Sequence, residues 1–230
     1  MDYKAYTDLV IDNLEGGYFH PDMYKANRAF FSNDDAGYAN SGETYYGMDR
    51  KAGAPLTTTG PMVNFWALID KYYTPYHANL DYWNEKDGYL RNRKTRSAIP
   101  LGLKDQLRQY VQQTMSAYFE TYMKDNFTPE QANFIKSNPK ILFNFWYAVW
   151  NGKTKFKSLA DAFKTEYAKG TRDPETLYKV VMQKRAAILG TSRANKVAPV
   201  CELATKVGGG WLKWLLIAGI AGVAIYMIKK

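Results

Sequence analysis

Cysteine is almost missing from this chain: Cys201 stands alone among 230 residues. No disulfide can therefore form within it, and the redox compartment stays open. Histidine is as scarce, with only His20 and His77. No Cys/His ligand spacing exists, so no metal site is expected, and the activity read below implies no organic cofactor. The opening residues, MDYKAYTDLV, lack a basic stretch followed by an apolar run, and no cleavable signal is expected. No internal repeat and no nucleic-acid-binding motif occurs, and the lysines are spread rather than blocked, so nucleic acid is not an expected partner. The densest basic cluster, Arg91, Arg93, Lys94 and Arg96, reads as a solvated loop.

Apolar residues make up 46% of the chain and aromatics 16%, enough to exclude a disordered polymer. The formal net charge is +9, which favours acidic partners such as anionic lipid or the bacterial wall. One long apolar run exists, Trp211 to Ile228, WLKWLLIAGIAGVAIYMI. A helix needs about 20 such residues to cross a bilayer. Trp211, Trp214 and Tyr226 sit near its ends, where amphipathic rings settle at headgroups. The expected organisation is a body over residues 1–206, a glycine-rich linker over 207–210 and a single-pass membrane helix over 211–230.

The body reads as mainly α with one small hairpin. Tyr6, Leu9, Val10 and Leu14 share a helical face that Gly16-Gly17 terminates, and a second helix is expected over Val63 to Tyr73. Leu103, Leu107, Tyr110, Val111, Met115, Tyr118, Phe119 and Tyr122 form an apolar stripe at helical spacing. Thr128-Pro129, Asn138-Pro139 and Asp173-Pro174 each place a capping acceptor before a proline, and Gly152, Gly170 and Gly190 lie where helices should end. Thr128 with Gln131 fits a capping box. Trp66, Trp146 and Trp150 read as core.

Chemistry concentrates between Leu14 and Gly53. Glu15 closes an amphipathic helix and precedes two glycines and Tyr18, so it borders core on one side and a glycine-rich segment on the other. Partial burial there favours a protonated carboxyl, the form that donates a proton to a glycosidic oxygen. Ser41 to Met48, SGETYYGM, reads as a tight hairpin that presents Glu43 or Thr44 across from Glu15. Tyr18, Tyr45 and Tyr46 are candidate stacking rings for a sugar, as are Phe19, Tyr38, Trp66 and Trp83.

Glu15-Gly16-Gly17-Tyr18 and Gly42-Glu43-Thr44-Tyr45-Tyr46-Gly47-Met48 together resemble the N-terminal signature of the glycoside hydrolase 108 family, N-acetylmuramidases of the lysozyme superfamily found among phage endolysins. That family carries Glu-Gly-Gly-Tyr and then Gly-Glu-Thr-Asn-Tyr-Gly-Ile. Tyr45 and Met48 depart from it, and the intervening loop is longer and more aromatic than usual. A looser likeness to the family's Ala-Val-Asn-Ser-Gly falls on Ala148 to Gly152. The resemblance implies an α+β lysozyme-like fold, Glu15 as catalytic acid, Thr44 as the residue that positions water, and peptidoglycan as substrate. The second carboxylate stays open among Asp22, Asp34, Asp35, Glu43 and Asp49, with Glu43 preferred. The implied activity is hydrolysis of the β-1,4 bond between N-acetylmuramic acid and N-acetylglucosamine by a membrane-anchored phage lysis or entry enzyme, in a virion internal membrane or the host inner membrane. The alternatives are a lytic transglycosylase and a non-catalytic, wall-binding virion membrane protein on the same fold.

Overall fold

A computed structural model of the chain describes residues 3–15, 18–19, 44–50, 60–77 and 101–208. Within them lie eight α-helices and three two-residue strands: α1 (Lys4–Asn13), β1 (Tyr18–Phe19), β2 (Thr44–Tyr45), β3 (Met48–Asp49), α2 (Gly60–His77), α3 (Leu101–Asn126), α4 (Pro129–Ser137), α5 (Pro139–Ala148), α6 (Lys153–Ala168), α7 (Pro174–Leu189) and α8 (Thr191–Gly208). The chain is therefore mainly helical, as its periodicity predicts, with a small antiparallel sheet of order β1-β2-β3. It divides into two compact units, residues 11–117 and residues 1–10 with 118–230. Gly16, Gly17, Glu43, Asp22, Asp34, Asp35, Tyr38, Trp83 and the basic cluster from Arg91 to Arg96 lie outside the described residues.

In the helical unit, α5 supplies eight consecutive buried residues, Ile141 to Ala148. A helix apolar on every side has to be enclosed, and α4, α6, α7 and α8 all pack against it. Phe127, Phe145, Phe156 and Phe163 meet edge to face around it, with Phe127–Phe145 centroids 5.1 Å apart and Phe127–Phe163 centroids 5.7 Å apart. Tyr3, just before α1, stacks on Trp146 at 4.5 Å and meets Phe119 edge-on at 5.2 Å. Its hydroxyl donates to Glu120 (2.6 Å), which also accepts from Lys136 (2.9 Å). Trp146 is buried as expected, whereas Trp150 is half-buried at the unit's margin and meets Trp146 edge-on.

The caps follow their chemistry in two of three places. Thr128 and Gln131 form both bonds of the capping box, and Asp173 accepts from the Thr176 backbone N–H (2.9 Å). Asn138 does not cap α5; its side-chain amide donates back to the Phe134 carbonyl (2.5 Å) and closes α4 instead. Only one residue separates those helices, so the same side chain can serve either end, and the unpaired carbonyl takes it. Gly152, Gly170 and Gly190 all adopt positive φ, at 87°, 93° and 88°, a backbone conformation that residues with a Cβ rarely take.

Among the described residues of this unit, one charged side chain is enclosed. Arg185 on α7 is fully buried. Its guanidinium donates to Asn144 Oδ1 (2.8 Å), the Asn144 carbonyl (2.7 Å) and Asn151 Oδ1 (2.9 Å), and lies over the Tyr147 ring. Burial lowers its pKa to about 10, so it remains a cation at neutral pH. Burial also pushes the Cys201 thiol up to about 12, which keeps it protonated and unreactive.

The structure differs from the sequence reading at two boundaries and on one helix face. Helix α2 begins at Gly60 and ends at His77, extending the expected span at both ends, because Pro61 is harmless in a first turn. The face that α1 buries is Tyr6, Thr7, Val10 and Ile11, with Leu9 and Leu14 only half-buried. Helix α8 runs through Gly208, so Val207 and Gly208 are helical rather than part of a joint. Among the described residues no helix is long and apolar enough to cross a membrane; residues 209–230, which hold the apolar run, lie outside them.

Candidate active site

The candidate residues that the structure describes all fall in the unit of residues 11–117. Glu15 stands half-buried at a bend beyond the end of α1. β1 follows it, and β1 pairs antiparallel with β2, setting Tyr18 opposite Tyr45 and Phe19 opposite Thr44. The two motif blocks, far apart in sequence, thus meet as neighbouring strands. Three links join Glu15 to Tyr18, at most about 11 Å between Cα atoms, and paired residues sit about 5 Å apart. Glu15 therefore lies within about 16 Å of the strand that carries Thr44.

β2 turns into β3 through Tyr46 and Gly47, whose φ values are 53° and 73°. Two consecutive positive φ angles make a type I′ turn, whose twist matches that of paired strands. Glycine adopts this freely; a tyrosine resists it by roughly 1–2 kcal/mol. Packing holds it there. Tyr46 is buried and stacks on Tyr45 with centroids 3.9 Å apart, and Tyr45 packs toward Phe65 of α2. Tyr45 and Tyr46 are each only 3% exposed. Their faces are engaged with protein, which corrects the expectation that they serve as open platforms for a sugar. They are the core of the hairpin. Of Tyr18 the structure describes the backbone pairing alone. Trp66, also named as a possible platform, is buried in agreement with the core reading.

Two arginines that sequence reasoning did not single out fasten these short elements. Arg108 of α3 makes a two-pronged pair with Asp12 near the end of α1 and lies over the Tyr46 ring at 5.9 Å. It thereby ties the helix that leads to Glu15 to the turn that follows Thr44. Arg50, next after β3, makes a two-pronged pair with Asp70 of α2 (2.8 and 2.5 Å) and lies over the Trp66 ring at 5.0 Å. Forked guanidinium–carboxylate pairing fixes orientation as well as distance. Nothing in the local pattern marks Arg108 or Arg50, since each partner is distant in sequence.

No protein-family model, curated protein or solved structure matches the chain. The likeness to the muramidases therefore rests on its two short blocks. Among the described residues no group of three His, Cys, Asp or Glu side chains is placed to hold a metal ion. A groove of about 440 Å³ opens in the helical unit beside Asp161, Glu166 and Lys184. Its acids are already paired, Asp161 with Lys157 and Lys164 and Glu166 with Lys169, and it offers no evident chemistry.

Proposed function

We propose that this protein is a muramidase that hydrolyses the β-1,4 bond between N-acetylmuramic acid and N-acetylglucosamine in peptidoglycan. The observation that carries this reading is the pairing of β1 with β2, which joins the Glu15 block to the Thr44 block. Glu15 acts as general acid on the glycosidic oxygen, and Thr44 orients the attacking water. Glu15 is half-buried just before the segment that enters β1. The net charge of +9 aids encounter with an acidic wall, at a rate that falls with salt. The apolar run from Trp211 to Ile228 anchors the enzyme to a membrane, by preference that of a virus particle, where a fixed enzyme acts locally on the wall at entry.

The test is in-gel lysis of purified peptidoglycan by the full chain in detergent, beside Glu15→Gln. The variant keeps the shape and loses the transferable proton, so activity should fall on the order of a hundredfold or more with an unchanged thermal melt. A folded Gln variant with most of its activity would overturn the assignment.

A further inference from the structure

We infer that Asp49 is the second carboxylate of this site, the base that takes the proton of the attacking water; the inference rests on the muramidase reading. The register of the hairpin carries it. Thr44 and Asp49 are direct partners across β2 and β3. Directly opposed residues in an antiparallel pair project from the same face, with Cβ atoms about 4.5–5.5 Å apart. The neighbouring pair, Tyr45 with Met48, projects from the other face, and both of those residues are buried. Thr44 and Asp49 are each half-buried. The hairpin thus has an apolar face turned into its unit and a polar face that brings a hydroxyl and a carboxylate together.

Glu43, the carboxylate the sequence favours, lies outside the described residues. Neighbours along a strand alternate faces, so adjacency is no reason to place a carboxylate beside the Thr44 hydroxyl, whereas cross-strand pairing is. The type I′ turn fixes this register, since a two-residue loop permits no slip. The clamp of Arg50 on Asp70 and Trp66 holds the end of β3, and so the backbone of Asp49, against α2.

The step balances. Water hydrogen-bonded to Thr44 adds through oxygen to the anomeric carbon while the glycosidic C–O bond breaks. The Glu15 proton goes to the leaving oxygen, and the proton lost by water goes to Asp49. A base that works through water inverts the anomeric carbon, so the initial reducing end should be the α anomer.

The experiment uses the full chain on purified peptidoglycan glycan strands, with product anomers followed by NMR. We expect α products from the wild type, and for Asp49→Asn a kcat loss of a hundredfold or more at nearly unchanged KM. Should that variant melt early, Asp49→Ala with added azide gives a second reading, because azide in place of activated water should form an α-glycosyl azide. Retained configuration, 1,6-anhydro ends, or an Asn variant within threefold of wild-type turnover would overturn the role of Asp49 while leaving a cleaving enzyme. A wild type that cleaves nothing removes the muramidase reading and this inference together, and is plainly a different outcome.

Discussion

Three arginines in the two units of this molecule hold their surroundings in different ways. In the helical unit Arg185 is wholly enclosed and faces neutral oxygens of Asn144 and Asn151. In the hairpin unit Arg50 and Arg108 are part-exposed and each grips a carboxylate from a segment distant in sequence. The helical unit has an aromatic core around α5, and its buried arginine joins α7 to α5. The hairpin unit has strands of two residues, too short to be stable by their own ladder. It relies on buried tyrosines and on forked ion pairs to hold the strands in place. The proposed chemistry lies in the hairpin unit.

The largest effect should come from breaking the buried arginine. Arg185→Ala leaves two amide oxygens and a carbonyl without their donor and opens a cavity, and should cost on the order of 3 kcal/mol or more in urea unfolding. Arg185→Met with Asn144→Leu replaces most of the polar cluster by apolar surface and should recover part of that loss. Failure of the double variant to recover any would mean that the cluster does more than satisfy its own members.

Arg108→Met sharpens the contrast from the other side. It keeps the aliphatic stem and removes both the pair with Asp12 and the charge over Tyr46. Because Asp12 is half exposed, solvent screening limits the cost to about 1 kcal/mol or less. Hydrogen exchange should quicken in residues 44–50 and stay unchanged in α5 and α7, and wall lysis should fall. Equal loss of protection in both units would erase the distinction between them.

The smallest effect expected is a pH dependence within the helical unit. Burial by itself would raise the Glu120 pKa, but hydrogen bonds from Lys136 and Tyr3 outweigh it and hold the carboxyl below its ordinary value of 4.5. Its folded pKa is thus depressed, so its stabilising contribution is complete above about pH 4.5 and is lost as pH falls through the lower folded value. Melts of wild type and Glu120→Gln should converge as the solution is acidified. A gap that is constant with pH would show that the ionised form is not what stabilises Tyr3.

Much of the helical architecture was legible because its signals are local. The stripe on α3 shows as Leu107, Val111, Met115 and Phe119, all buried. Thr128 and Asp173 cap where their spacing indicates. A hairpin was legible within Ser41 to Met48, and the structure places β2 and β3 there with the turn at Tyr46 and Gly47. The stacking role given to Tyr45 and Tyr46 was not sound, since an aromatic beside a glycine reads alike whether it faces a ligand or a core. Asn138 capped the wrong helix for a similar reason, with two termini competing for one side chain.

The sequence by itself determined where the chain can be helical and where helices stop, and it offered the blocks around Glu15 and Thr44 as candidates for glycoside chemistry. Each of those depends on residues within a turn or two of one another, so the physics is contained in the string. Only the tertiary structure decided that β1 lies beside β2 and that Arg108 spans from Asp12 to Tyr46. Those relations join residues far apart along the chain. They depend on which segments become neighbours when the apolar faces are buried, and no local pattern encodes that.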